Sequence, residues 1–230
     1  MVILPLFTIA QALQESNPFQ LGISFSPDMS YRWIRVKEET GYTGQIVELR
    51  NEMETPKFGF TTGLNVKYVF NEQWSLQTGI IYANKGYQTK KTEAIWPEPG
   101  PSLATHLKSK YDLHYVNVPL LVNYTIGKGK MKFLLNGGLI LNTFIQERYK
   151  AWLFYNDGNV ETYKSKTNTG YRRFTFSSLI GAGIQYEPNN QSEFRVVPTF
   201  RIGLPSITNN TPISGSLWSL GVDFSYFFSF

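Results

Sequence analysis

The 230-residue chain contains no cysteine. Disulfides, thiolate metal sites and a cysteine nucleophile are therefore excluded. Histidine is almost as scarce, with only His106 and His114, and two imidazoles without a thiol make a poor metal-ligand set. No run of about 18 apolar residues occurs, so no membrane-crossing helix is signalled. Charged residues make up 17% of the chain and aromatics 16%, with a mean hydropathy of −0.23. That balance is too polar for a bundle of membrane helices, yet it suits membrane strands, whose alternating residues average near zero. The net charge is +5, but the basic residues are scattered singly along the chain, which argues against a nucleic-acid partner. No Gly-rich phosphate loop precedes a helix, no helix of any kind is signalled, and no cofactor is expected.

What the chain has in abundance is alternation. In its last fifteen residues, Trp218, Leu220, Val222, Phe224, Tyr226, Phe228 and Phe230 take every second position. Ser219, Gly221, Asp223, Ser225 and Ser229 lie between them, and Phe227 is the one large apolar residue on the polar parity. Period two makes one face of a β-strand apolar and the other small and polar. An inner strand of a soluble sandwich would share this pattern, whereas in lipid it is the ordinary wall of a closed barrel. A terminal aromatic on such a strand also resembles the insertion signal of Gram-negative outer-membrane barrels. Seven earlier segments alternate in the same way, over residues 19–36, 57–70, 74–88, 111–126, 131–149, 171–187 and 193–204. In the fourth, the apolar residues change parity at Tyr115–Val116, which predicts a bulge, and Pro119 stands mid-strand, where it cannot donate to a ladder.

The connections separate the alternatives. Those after the second, fourth and sixth strands are a few residues each, whereas residues 37–56, 89–110, 150–170 and 205–215 form long loops. Short turns at one end and long loops at the other is the asymmetry of outer-membrane barrels. The sequence thus predicts an all-β fold: an eight-stranded antiparallel up-and-down transmembrane β-barrel over residues 19–230, with short periplasmic turns and long extracellular loops. It places the protein in the outer membrane of a Gram-negative bacterium, as a monomeric barrel in contact with outer-membrane lipid. Residues 1–12 read as a secretory signal ending in Ala10-Gln11-Ala12, followed by an N-terminal segment over 13–18.

The two strand faces carry separate expectations. Outward aromatics should form girdles, with Phe70, Trp74, Tyr124, Phe133, Tyr186, Phe194 and Phe228 on the periplasmic side and Tyr82, Phe144, Phe174 and Trp218 on the outer side. The inward face is rich in glycine and predicts an interior charge network of Asp28, Arg32, Lys67, Lys85, Arg173, Glu187, Arg195, Arg201 and Asp223. An eight-stranded bore is just wide enough for side chains to fill, which favours a plugged barrel over a pore. In the loops, an acidic first connection (Glu38, Glu39, Glu48, Glu52, Glu54) precedes the candidate contact residues Trp96, Trp152, Phe154 and Tyr155. Asn156-Asp157-Gly158 signals a hairpin turn. Such aromatics suit contact with glycans or other envelope proteins; equally, they could rest on lipid headgroups or on one another. Lipid-modifying barrel chemistry needs a His base beside a Ser nucleophile. His106 lies three residues before Ser109 and His114 lies near Asp112, neither at the spacing of the deacylases, so no catalysis is expected.

Several segments together resemble the outer-membrane β-barrel family common in Bacteroidota, the PorT-like barrels. They are Trp74-Ser75-Leu76-Gln77-Thr78-Gly79 leading to Tyr82 and Lys85-Gly86, and above all Tyr115-Val116-Asn117-Val118-Pro119-Leu120-Leu121. Gly137-Gly138 and Gly181-Ala182-Gly183 are weaker echoes. The resemblance spans most of the chain after the secretory segment and implies that Pro119 is tolerated within the wall. The family usually places Glu where this chain has Asn117, which removes any role of that acid. Members include a component of the type IX secretion machinery. The expectation is therefore a structural, adhesion or envelope-assembly barrel acting through its outer loops. A secretion-associated barrel, a lipid A-modifying enzyme and a small pore are the alternatives.

Overall fold

The computed structural model describes residues 18–96, 100, 103–208 and 211–229. The expected secretory segment, residues 13–17 and Phe230 lie outside the described residues. The elements in chain order are β1 (Phe19–Val36), α1 (Thr43–Met53), β2 (Glu54–Thr55), β3 (Lys57–Val69), β4 (Trp74–Thr89), β5 (Thr92–Glu93), β6 (His106–Ile126), β7 (Met131–Phe154), β8 (Val160–Thr167), β9 (Phe174–Asn189), β10 (Ser192–Gly203) and β11 (Ile213–Ser229).

Eight of these strands, β1, β3, β4, β6, β7, β9, β10 and β11, form the wall, each antiparallel to the next. β1 pairs with β11 from Gln20↔Ser229 to Val36↔Ile213, so the sheet closes on itself. Closure gives every wall strand two partners and leaves no edge for lipid, where an unpaired backbone group cannot find water. The short turns have chemical causes. The Asn71 side chain accepts from the backbone N–H of Gln73 and Trp74, both at 2.9 Å. Asn189 does the same for Gln191 and Ser192 at 3.0 and 2.8 Å. Gly127 and Gly129 hold φ of +114° and +87° in the turn between β6 and β7, values that disfavour other residues.

Alternation sorts the two faces. Leu64, Ile80, Leu120 and Ile180 stand outward and exposed, while Ser26, Ser30, Asn65, Asn123 and Thr199 point inward and are buried. The fold thus inverts the soluble rule of apolar interior and polar surface, which is stable only with lipid outside. At the short-turn end the outward aromatics touch edge to edge or tilted, as in Phe19–Tyr68 (4.9 Å), Trp74–Tyr124 (4.5 Å) and Phe194–Tyr226 (4.8 Å). Near the long-loop end Trp218 lies 6.2–6.3 Å from Tyr31, Trp33 and Phe200.

Three expectations are corrected. First, α1 is a helix where none is signalled: it has no side-chain N-cap and buries only Thr43, so it lacks both a start signal and an apolar stripe. Second, no parity flip occurs in β6. Tyr111, Leu113 and Tyr115 share the inward parity of Asn117, Pro119 and Leu121, and only the location of the apolar residues changes, from lumen to lipid. The bulge lies across the pair, on β7. His114 pairs with Gln146 and Tyr115 with Phe144, so β7 carries one extra residue there. Third, Phe144 belongs to no outer girdle. It faces inward just before that bulge, is 5% exposed, and packs with Ala83, Leu113, Tyr115, Ile207 and Leu217.

Leu120→Arg and Ile180→Arg are each expected to cost about 2–4 kcal/mol, as basic residues do at the bilayer midplane. Thr199→Val, which faces the lumen, should fall well below that range. Denaturant unfolding in lipid vesicles measures all three, and equal tolerance would contradict the assignment of faces.

Candidate functional site: a filled lumen and the rim above it

The bore is filled at three levels. Near the short turns, Glu193 on β10 accepts from Lys67 on β3 and from Arg195 two residues along its own strand. All three are buried. The Phe227 ring, fully buried, lies 4.9 Å from the Lys67 ammonium and 4.8 Å from the Arg195 guanidinium. The break in the polar parity of β11 thus gives two buried cations an aromatic face. Gly22 on the neighbouring strand makes this possible, since a Cβ there would collide with the Phe227 ring. From Arg195 the network continues to Gln77 (3.2 Å), Asn65 (3.0 Å) and Ser24 (2.9 Å), crossing the bore. At the mouth below, Lys132 donates to Glu187 at 2.7 Å.

In the middle, Asp28 is 1% exposed and accepts from Arg201 Nη1 at 2.8 Å, from Ser26 at 2.7 Å and from Thr61. Gly221 faces it across the β1–β11 pair, where a Cβ would strike the Asp28 carboxylate. Lys85 and Arg201 line one small cavity, and Asp223 shares the central cavity with Arg195 and Arg201. That central cavity is about 40 Å³, room for a few waters at most. Asn117 Oδ1, Asn136 Oδ1 and Thr199 Oγ1 have no partner among the described residues. All three residues line the cavity, where water can satisfy them.

At the long-loop end, Glu54 on β2 takes a bidentate contact from Arg32, its Oε2 lying 2.8 Å from Nε. The Arg32 guanidinium lies 3.7 Å over the Tyr87 ring, which stacks on Tyr111 at 4.5 Å and 20°, and Tyr111 in turn meets Tyr149 at 5.0 Å. Tyr171 donates to Glu147 and sits 4.9 Å from Phe144. Burial pushes the Tyr171 phenol above its ordinary value, with Tyr87 and the bond to Glu147 acting in the same direction. Above the membrane this aromatic stack caps the bore.

Of the residues expected in the interior, Asp28, Arg32, Lys67, Lys85, Arg195 and Arg201 are buried in the bore and Asp223 lines it, while Glu187 lies half-buried at the mouth. Arg173 is a correction. It precedes β9 and is exposed, because the wall strand begins at Phe174 and the alternation on which its placement rested does not reach it. Three buried acids, Glu193, Glu54 and Glu147, are not among those expected in the interior. Glu193 was legible from parity with Arg195, but Glu54 lies in a loop and Glu147 lies beyond the β7 bulge, where parity is reversed. Lys57, also inward, pairs with Asp112 at 2.6 Å.

The rim aromatics are tethered. The Trp96 indole donates to the Ala104 carbonyl at 2.7 Å. Lys150 sits 4.3 Å over the Trp152 ring, and Lys91 sits 4.1 Å over Phe154. Tyr155 donates to Glu161 at 2.8 Å, a bond that raises its phenol above the ordinary value. β7 and β8 pair from Glu147↔Thr167 to Phe154↔Val160 and turn at Gly158, whose φ is +84°. They form a hairpin that rises beyond the wall. His114 contacts the Tyr82 hydroxyl on the outer face, and His106 lies 3.2 Å from Thr105 Oγ1. Neither forms a hydrogen bond to a serine among the described residues.

A closed ring of antiparallel strands, apolar outside and filled with paired polar side chains, defines a transmembrane β-barrel of the outer-membrane type. The chain belongs to the outer membrane protein beta-barrel domain family, whose model matches residues 10–210. Among solved structures it is similar to Neisserial surface protein A (12% identity, 94% of this chain and 99% of that chain, TM-score 0.46). OprG from Pseudomonas aeruginosa is a second (14% identity, 93% and 97%, TM-score 0.46). A third is Ail, the attachment invasion locus protein of Yersinia pestis (16% identity, 90% and 97%, TM-score 0.34). No curated protein sequence matches it. The protein resides in the outer membrane.

Glu193→Gln is expected to destabilise the barrel by about 3–5 kcal/mol, because it strands Lys67 and Arg195 in the bore. Adding Lys67→Met should recover part of that loss. Urea unfolding in vesicles checks both variants, and an unchanged midpoint for Glu193→Gln would contradict the role given to the ion pairs.

Proposed function

We propose that the protein is a non-catalytic, monomeric outer-membrane anchor whose rigid, plugged barrel holds its outer loops as a recognition surface for other envelope proteins or glycans. The observation that carries this reading is the three-level filling of the bore, which leaves the loop end as the exposed working part. A conducting pore is disfavoured by the Lys67–Glu193–Arg195 cluster and by the aromatic cap. Lipid A-modifying catalysis is disfavoured because His106 and His114 are engaged by Thr105 and Tyr82. The β7–β8 hairpin tip (residues 155–159) and the exposed helix α1 are the segments offered to a partner, as loops on a rigid scaffold commonly are. The resemblance of residues 115–121 to PorT-like barrels favours one second reading, in which the partner is a component of a secretion complex.

Planar-bilayer recording of the purified barrel should show no steady conductance, and an ohmic open state would contradict the plugged reading. Solubilisation from native membranes in mild detergent should recover a discrete partner that is lost when residues 155–159 are replaced by a Gly-Ser turn. Recovery independent of that replacement would remove the hairpin tip from the proposal.

A further inference from the structure

Basic residues that are scattered along the sequence are gathered by strand register above the membrane. On β6, β7 and β8 the pairings place Lys110 opposite Lys150 and Lys150 opposite Lys164, with Arg148 opposite Lys166 in the next row. Lys108 stands opposite Trp152, and both Lys108 and Lys150 lie over its ring at 5.9 and 4.3 Å. These residues share the parity of the strands' outward face. On β7, Arg148 and Lys150 are brought there by the bulge, which turns Glu147 inward and Arg148 outward. The one acid in the rows, Asp112, is already held by Lys57 at 2.6 Å and Lys110 at 3.4 Å. Among the described residues, Arg148, Lys150, Lys164 and Lys166 have no acidic side chain within ion-pair distance.

Like charges directly opposite each other on paired strands are destabilising; the Lys110–Lys150–Lys164 row repeats the arrangement across three strands, and in the next row Arg148 faces Lys166 on one side and Asp112 on the other. A polyanion from outside the chain would reverse the sign of that interaction. Arg148, Lys150, Lys164 and Lys166 line an open cleft of about 580 Å³ together with Asp112, Tyr149 and Ser165. Its height narrows the choice of polyanion. On β6 the outward apolar band ends at Val116 and on β7 at Ile145. Asp112 and Arg148 then lie roughly 8–10 Å above the hydrocarbon, from a rise of about 3.3 Å per residue on strands tilted about 40°. Long basic side chains reach down from that height into the headgroup layer, and Trp152 is the residue type that sits at such an interface.

We infer that the outward face of β6–β7–β8 binds the phosphorylated saccharide headgroup of a glycolipid of the outer leaflet. Its cations make charge-assisted contacts to the phosphates, and bound lipid relieves the repulsion built into the strand register. This site flanks the wall and is separate from the hairpin tip proposed above for a partner.

The test is native mass spectrometry of the intact barrel in neutral detergent, titrated with bisphosphorylated lipid A, with dephosphorylated lipid A, with inorganic phosphate and with dextran sulfate. Wild-type protein should prefer bisphosphorylated over dephosphorylated lipid A by about tenfold or more, the scale of one or two charge-assisted contacts. Lys150→Gln/Lys164→Gln should lose that preference while keeping the heat-modifiable gel mobility of a folded barrel. In lipid-free detergent this variant should unfold at or above the wild-type temperature, because the repulsion is gone, and bound lipid A should raise the unfolding temperature of the wild type more. Equal affinity for the two lipid A forms, or wild-type affinity in the double variant, would overturn the inference. So would saturation by inorganic phosphate at the same concentrations as lipid A. Tight dextran sulfate binding with no lipid A preference would reassign the face to soluble acidic glycans.

Discussion

A strand that faces lipid cannot hand its backbone hydrogen bonds to water, so each wall strand must find partners on both sides. In this chain that requirement is met by eight strands and by the pairing of β1 with β11. The number of strands then sets the bore, and the bore sets the character of the inward side chains. Space is so limited that Gly22 and Gly221 are needed beside Phe227 and Asp28. Charge is buried so completely that Lys67, Arg195 and Arg201 each require a carboxylate at hand. The plug is thus a consequence of closure at this diameter.

The constraint relaxes where the strands leave the membrane. β7 continues to Phe154 and gains β8 as a partner, and β2 and β5 add short pairings to β4 and β6. Water can now satisfy edges, and a helix as weakly packed as α1 is tolerated. The bulge beside Ile145 falls at this boundary. Below it β7 alternates for lipid and lumen; above it the same strand sends Glu147 to Tyr171 inside and Arg148 to the outer face. One extra residue therefore reassigns the chemistry of both faces over the rest of the strand.

That bulge also explains which parts of the site were legible from sequence. Asp28, Lys67, Arg195 and Arg201 lie on regular stretches, so parity alone aims them inward. Glu147 and Arg173 lie beyond the bulge or just before a strand begins, where a count of two no longer reports the face; Phe144 shares the inward parity of Ile140 and Asn142, a count that its expected place in the outer girdle overrode. Glu54 is brought to Arg32 by a two-residue strand inside a loop, a length at which alternation carries no signal. The outer basic face was invisible for a different reason. Its residues come from three strands and are neighbours only through register, so a reading along the chain finds them scattered.

By itself, the sequence determined the barrel. Apolar residues at every second position and loops of sorted length suffice, because lipid contact and backbone pairing are local, repetitive demands that every strand meets in the same way. Only the tertiary structure decided which acid meets which base, where the cap of tyrosines closes the bore and which lysines share a face. Those outcomes depend on cross-strand register and on one bulge, and distances across a cylinder are fixed only when the last strand has met the first.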